Sequence, residues 1–492
     1  MAISQASEPS VRSLIPARID RLSWTPFHTR MVIALGIAWV LDGMEITIAS
    51  ALGAVLSDKD TLGLSSSSVG LIATVYLLGE VFGALFFGKL SDQLGRKNLF
   101  IVTLGVYLAG NALTALTWGN TAVAIGFLFL TRFVAGMGIG GEYAAVNSAI
   151  DEMMPARYRG RVDIAINGTY WAGAILATLL QLLLLNTLDH SIAWRLGFLA
   201  GPAIGLCIWR LRKNLPESPR WLIIHGRKDE AEENIRLIED EVRRSGQTVE
   251  DVPDDRAIEI HPQPPVRFLH LAKMLFQSHR RRTILGSSLM IAQSFLYNAI
   301  FFTYTLVLTK VYGISESWAP AFLIAFAVGN LAGPLTLGKL FDTIGRRKMI
   351  AGTYLLAGVL LAVSAAMFQA GWLNAYTQTL AWCVIFFFAS CGASAAYLTV
   401  SEIFPMEIRA QAIALFFAIA QCFGAIGPWF YGRLIGDGTN HTMLTVGYLI
   451  GAAVMVAGGL VEVFLGIDAE NKSLEDVATP LSVVAEPEPA AA

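Results

Sequence analysis

The chain is short of charge. Asp, Glu, Lys and Arg make up 15% of its 492 residues, against 54% hydrophobic ones, and the mean hydropathy is +0.55. A soluble domain carries about a quarter charged residues. The deficit argues against an ordinary soluble domain and for a polytopic membrane protein. An excess of one sign is missing too: a net charge of −2 gives no footing for nucleic acid or an anionic lipid surface as partner. Cysteine is scarce. Cys207, Cys383, Cys391 and Cys422 fall inside apolar runs without CxxC or metal-ligand spacing, so they read as small packing residues, not as disulfides, a metal site or a redox centre. The first residues, MAISQASEPSVRSLIPARID, adjoin no apolar core ending in a small-residue cleavage site, and no cleaved signal peptide is expected.

What is abundant is long apolar runs. A bilayer core of about 30 Å needs about 20 helical residues. Runs of that length occur at 31–55, 68–90, 98–117, 121–146, 162–186, 193–211, 283–309, 317–340, 349–370, 377–400, 410–432 and 442–466. These predict an all-α polytopic protein of twelve spans, six on each side of a polar segment. The loops after spans 2, 4, 8 and 10 hold Lys89, Arg96 and Lys97; Arg157, Arg159 and Arg161; Lys339, Arg346, Arg347 and Lys348; and Arg409. The opposite loops are nearly bare of cations, so the positive-inside bias predicts a cell (inner or plasma) membrane protein with both termini cytoplasmic. The expected organisation is a cytoplasmic segment 1–30, a six-helix half 31–212, a cytoplasmic loop 213–282, a second half 283–467 and a tail 468–492. Within the loop, 228–246 has helical periodicity, 261–265 reads as a linker and 267–282 as an interfacial amphipathic helix. The tail after about 475 is expected to be disordered.

An internal repeat sets the architecture. Gly88, Asp92, Gly95 and Arg96 of GKLSDQLGRK recur as Gly338, Asp342, Gly345 and Arg346, each offset by 250 residues. Glu152, Pro155 and Arg159 recur as Glu402, Pro405 and Arg409 with the same offset. Two motifs with one offset mark a duplication, and such duplicated folds place a site near the membrane midplane between the halves. At these residues the chain resembles the major facilitator superfamily over essentially its whole length, which implies the fold of twelve helices in two homologous halves. The stretches RFVAGMGIGG (132–141), PESPRWL (216–222) and IDAENKSLEDV (467–477) resemble signatures found in that superfamily, the last two those of its sugar porters. DGME (42–45) is instead similar to the D-G-x-D of aromatic-acid:proton symporters, and GGEYAA (140–145) to metabolite:proton symporters.

The loop residues Gly88, Asp92, Arg96, Glu152, Arg159, Asp342, Arg346, Glu402 and Arg409 are expected to form a cytoplasmic gate. Its ion pairs hold that face shut and break on opening, whereas a purely topogenic role would need no aspartates. Arg132 falls about eleven residues into span 4, about 16 Å deep. Asp42, Glu45 and Glu80 are similarly deep. Intramembrane ionisable groups are costly, face the interior and mark function, and one arginine cannot keep three acids ionised cheaply. Asp42, Glu45, Arg132 and Glu80 are therefore the expected proton-coupling set. A static buried pair that fixes packing is the alternative. Asp42 and Glu45, three residues apart, lie on roughly one helix face. Glu142 is expected to join the gate.

The resemblance to sugar porters also implies a substrate site. Gln293 and Asn298 of AQSFLYNAIFFTY match amides that bind sugar hydroxyls, while Ala292, Phe302 and Thr303 depart from that pattern. Asn167, Tyr397 and Gln421 complete the expected substrate-binding set, a thinner one than a hexose needs. The expected activity is not enzymatic. It is secondary active transport: proton-coupled uptake of a small polar metabolite such as a carboxylate or aromatic acid, with an anion binding after protonation or to a freed Arg132. The alternatives are a sugar or polyol:proton symporter, an efflux antiporter and a non-transporting nutrient sensor. The expected partners are the small-molecule substrate, protons and the lipid bilayer, with no nucleic acid. No cofactor or metal is expected beyond the proton gradient, and a monomer is expected to suffice.

Overall fold

In a bilayer every backbone N–H and C=O needs an internal partner, and a continuous apolar run meets that demand only as a helix. The computed structural model bears this out. It describes residues 11–52, 55–56, 61–64, 66–213, 216–260, 268–314, 319–405, 408–435 and 438–479, apart from the side chains of some of them. The spans are Pro26–Ala51, Ser66–Leu94, Arg96–Ala115, Ala122–Met153, Ala156–Thr187, His190–Lys213, Arg280–Lys310, Ala319–Leu337, Arg346–Gln369, Ala375–Glu402, Arg409–Ile435 and His441–Leu465, numbered 1 to 12. Among the described residues, nine are long and apolar enough to cross a membrane on those grounds alone. Spans 2 and 11 carry shorter apolar stretches, Thr74–Gly88 and Gln411–Gly424.

Local chemistry sets the ends. Span 1 starts at Thr25, whose N–H donates to Nδ1 of His28 at 3.2 Å, with Pro26 in the first turn. Spans 3 and 9 start at Gly95 and Gly345, with φ of +85° and +118°, which side-chain-bearing residues rarely adopt. This is why the loop motif repeats a glycine there. Each of these N-termini also meets a carboxylate brought from the end of its own half. Glu217 accepts from the Lys97 N–H at 3.2 Å and Glu470 from the Arg346 N–H at 3.2 Å. An anion at a helix N-terminus is stabilised by the unpaired N–H groups and the macrodipole. The stretches PESPRWL and IDAENKS thus supply equivalent caps in the two halves.

Spans 5 and 11, which correspond in the repeat, are both interrupted: the first is Ala156–Gly168 then Tyr170–Thr187, the second Arg409–Gly424 then Ile426–Ile435. Within the first half, glycines let spans 2 and 4 touch backbone to backbone. A Cβ on Gly83 would lie 2.0 Å from Met137 O, and one on Gly140 2.0 Å from Glu80 O. Such close approach drives helix association where lipid is as apolar as leucine. Across the seam, span 2 packs on span 11 and span 5 on span 8.

Outside the bilayer, Val11–Ser13 pairs antiparallel with Ile258–Ile260, a ribbon that the all-α expectation did not include. The helix Ile15–Asp20 lies against the helix Lys228–Arg244, where Arg18 binds Glu232 and Glu239 at 2.7 and 2.8 Å. Burial opposes ionisation of Glu239, but the hydrogen bonds and charge of Arg18 and Arg21 prevail and hold its carboxyl below the usual range. The helix Phe268–Gln277 precedes span 7; the linker at 261–265 lies outside the described residues. The tail departs from expectation: Leu474–Val477 is a helix with Leu474 and Val477 buried, and Glu475 reaches Arg220 at 3.2 Å. Apolar burial and a buried ion pair offset the entropy that polar composition alone would leave dominant. Residues 480–492 lie outside the described residues.

Candidate functional site

A cavity of about 130 Å³ lies where the interrupted spans meet the seam. From the first half it is lined by Trp39, Ile46, Leu77, Tyr143, Asn167, Tyr170 and Trp171. The second half contributes Gln293, Ser294, Tyr297, Asn298, Phe301, Ser390, Ala393, Ser394, Tyr397 and Gln421. All five residues of the expected substrate-binding set, Asn167, Gln293, Asn298, Tyr397 and Gln421, stand on its wall. Their side chains come from spans 5, 7, 10 and 11, and only the fold brings them together.

Seven of the seventeen lining residues are aromatic. In one group Tyr143 and Tyr397 are stacked with centroids 5.8 Å apart, and Trp39 meets Tyr143 edge-on at 4.3 Å. In a second group, Trp171 lies 5.8 Å from Tyr297 and 5.5 Å from Phe301. Amides and hydroxyls are interspersed among the rings. Among the described residues, no Asp, Glu, Lys or Arg lines the cavity.

The four intramembrane ionisable residues separate. Arg132 and Glu45, both 0% exposed, form an ion pair. Arg132 also donates to Oδ1 of Asn111 on span 3 at 2.8 Å and packs against the rings of Tyr76 and Phe198, at 4.5 and 5.1 Å. It does not line the cavity, so the expectation that a substrate anion could meet it directly has no counterpart in this geometry. Asp42 instead accepts a hydrogen bond from the hydroxyl of Tyr143, a lining residue. Glu80 accepts one from Nε2 of Gln421 at 2.7 Å. The shared helix face of Asp42 and Glu45 leads to different neighbours because span 4 presents Arg132 to one and Tyr143, three turns on, to the other. Glu142 lines a small pocket beside Asp42.

At the motif-bearing face, Arg346 pairs with Asp342 and, through Nε, with Glu402 at 3.0 Å. Glu402 also faces Arg159 of the first half at 3.4 Å, and Asp342 accepts from the Arg161 N–H at 2.8 Å. Both carboxylates thus tie one half to the other. Arg409 donates within its own half, to Phe404 O at 3.3 Å. Gly88 and Glu152 are buried, while the side chains of Asp92 and Arg96 lie outside the described residues. Arg220 joins the network, donating to the carbonyls of Asp151 and Glu152 and to Asp20 at 3.0 Å.

Sequence reasoning missed Tyr143, Trp39, Trp171, Tyr297 and Asn111. A lone amide in an apolar run marks Asn111. The aromatics carry no comparable signal, since lipid-facing and core positions use the same residues.

Comparison with known proteins places this arrangement. Residues 41–480 match the family described as "Sugar (and other) transporter". The chain is 26% identical over 469 residues to the niacin transporter NiaP of Acinetobacter baylyi, covering 94% of this chain and 99% of that one. It is 25% identical over 449 residues to the inner membrane metabolite transport protein YgcS of Escherichia coli, covering 88% and 93%. Among solved structures it resembles the proton:xylose symporter XylE bound to 6-bromo-6-deoxy-D-glucose, with a TM-score of 0.77 at 18% identity, covering 92% and 98%.

Proposed function

This chain belongs to the sugar (and other) transporter family, within the major facilitator superfamily, and from that premise we propose proton-coupled uptake of a small aromatic carboxylic acid such as niacin. The observation that carries the reading is the cavity at the seam, lined by two groups of aromatic planes and dotted with amides and hydroxyls. A single planar ring fills such a slot by stacking, and the polar groups orient its substituent. The niacin transporter relative supports the same substrate class. The protein works without a cofactor, in the inner or plasma membrane with both termini cytoplasmic, as a monomer.

The proton has two candidate carriers in contact with the wall, Asp42 through Tyr143 and Glu80 through Gln421. Glu45 balances Arg132 behind the wall. The Arg159–Glu402 ion pair and the hydrogen bond from the Arg161 N–H to Asp342 join the halves on the cytoplasmic side, and opening inward breaks them. A sugar or polyol is the second reading, favoured by the four lining amides Asn167, Gln293, Asn298 and Gln421.

Uptake of labelled niacin and of xylose into proteoliposomes, with and without an imposed pH gradient, tests this. Niacin accumulation that a protonophore abolishes is expected. Gradient-independent accumulation overturns proton coupling, and uptake of xylose alone overturns the substrate class. Asp42→Asn and Glu45→Gln are each expected to impair proton-driven uptake, and its survival in both variants removes the DGME stretch from the coupling.

A further inference from the structure

Glu80 on span 2 is fully buried. Its Oε2 accepts the 2.7 Å bond from Gln421 on span 11, in the other half, and its Oε1 has no partner. On the opposite side of Gln421 the donors point the other way. Gln421 Oε1 accepts from Ser294 Oγ at 2.9 Å and from Asn298 Nδ2 at 3.4 Å, and Nδ2 also reaches Ser294 Oγ at 3.2 Å. Gln421, Ser294 and Asn298 all line the cavity. Gly424, one turn beyond Gln421, leaves them room: a Cβ there would lie 2.2 Å from Ser294 Oγ and 2.3 Å from Asn298 Nδ2.

A carboxylate can only accept hydrogen bonds, whereas a primary amide donates at one end and accepts at the other. An ionised Glu80 therefore fixes the Gln421 amide with its NH2 toward span 2 and its C=O toward span 7. That in turn holds the Asn298 NH2 and leaves Asn298 Oδ1, an acceptor, for the cavity. A protonated Glu80 brings one O–H donor, and the arrangement that satisfies it is the reverse one. Gln421 turns its C=O to Glu80 and its NH2 to span 7, Ser294 accepts, and Asn298 turns its Oδ1 to Gln421 and its Nδ2 to the cavity.

We propose that Glu80, Gln421 and Asn298 form a proton-reading switch, in which protonation of Glu80 converts Asn298 from an acceptor into a donor toward the oxygen of a bound carboxylate or amide. The proposal rests on the proton-coupled reading above. A proton from the outer solution adds to the Glu80 carboxylate and leaves to the cytoplasm; only that O–H bond forms and breaks. The charged and titratable groups facing Glu80 are Asp42 on span 1, Arg132 and Tyr143 on span 4, Tyr170 on span 5, Tyr397 on span 10 and Tyr76 on its own span. Among the described residues, span 11 contributes only the neutral Gln421. Because Glu80 and Gln421 belong to opposite halves, the switch also links proton binding to the seam that moves in alternating access.

The test uses the full chain in nanodiscs. Infrared difference spectra between acidic and mildly alkaline buffer, without substrate, are expected to show a protonated-carboxyl band that is lost in Glu80→Gln. They should also show a side-chain amide change that is lost in Gln421→Leu. Niacin affinity, read by tryptophan fluorescence, is expected to fall by up to about tenfold per unit rise in pH, the limit for one linked proton. Both variants are expected to flatten that slope, and Glu80→Asp to restore part of it. A wild-type slope in Glu80→Gln, or a carboxyl band that persists in it, overturns the switch while leaving proton-driven niacin uptake intact. If niacin does not bind but both infrared signals appear, the substrate reading fails and the switch stands.

Discussion

Separating Arg132 from Glu45 gives the most direct measure of what the buried charges do. Both side chains are 0% exposed, and Nε and Nη2 of Arg132 have no hydrogen-bond partner. Glu45→Leu would leave a guanidinium supported only by Asn111 and by the rings of Tyr76 and Phe198. Breaking a buried pair in this way costs about 3–5 kcal/mol, a factor of more than a hundred in the folded population. Arg132→Leu is expected to cost less, since a stranded carboxylate can neutralise itself by taking a proton and a guanidinium cannot. The double variant removes both charges and is expected to recover most of the loss, giving a coupling energy of about 2 kcal/mol or more. Denaturant titration in detergent micelles, with proton-driven uptake measured in parallel, reads both consequences. Single variants within about 0.5 kcal/mol of the parent, or losses that simply add, would refute the reasoning. A stable double variant that still accumulates substrate uphill would make the pair a packing device alone.

Gly43→Ala is expected to cost about 1–3 kcal/mol by overpacking, because its Cβ would lie 1.9 Å from the backbone oxygen of Tyr170. Gly105→Ala, where nothing lies within 4 Å, is the matched control, and thermal unfolding separates the two. Glu402→Gln removes the carboxylate that Arg159 and Arg346 share; spin labels at Lys97 and Lys348 are expected to report a population shift toward greater separation of the two halves. The depressed Glu239 carboxyl stabilises the docked N-terminal segment above the usual carboxylate range, and this contribution is lost as pH falls through its lowered value. Amide exchange of residues 11–20 is expected to rise in acid and to stay low near neutrality; unchanged exchange in acid refutes the assignment.

Hydropathy gave the number and placement of the spans, because lipid forces every exposed apolar run of that length into one conformation. The 250-residue offset exposed the duplication, since an equivalent turn in each half needs the same glycine and the same charges. Two sequence signals were read too locally. Asp42 and Glu45 share a helix face, yet their partners depend on what span 4 presents at two depths, and periodicity along span 1 carries no information about that. The polar tail composition around residue 475 suggested disorder, but Arg220, more than two hundred residues earlier, supplies its anchor.

The sequence by itself determined the membrane class, the twelve spans, the duplicated architecture and the presence of costly buried acids, all of which follow from composition, periodicity and repetition along the chain. Only the tertiary structure decided which acid meets which partner. It seats Arg132 behind the cavity with Glu45, leaves the wall without a charge among the described residues, and connects Glu80 to Asn298 through Gln421. The physical reason is that hydrogen bonds and ion pairs act over about 3 Å, and the residues that satisfy them here lie on different spans, tens to hundreds of residues apart in the chain.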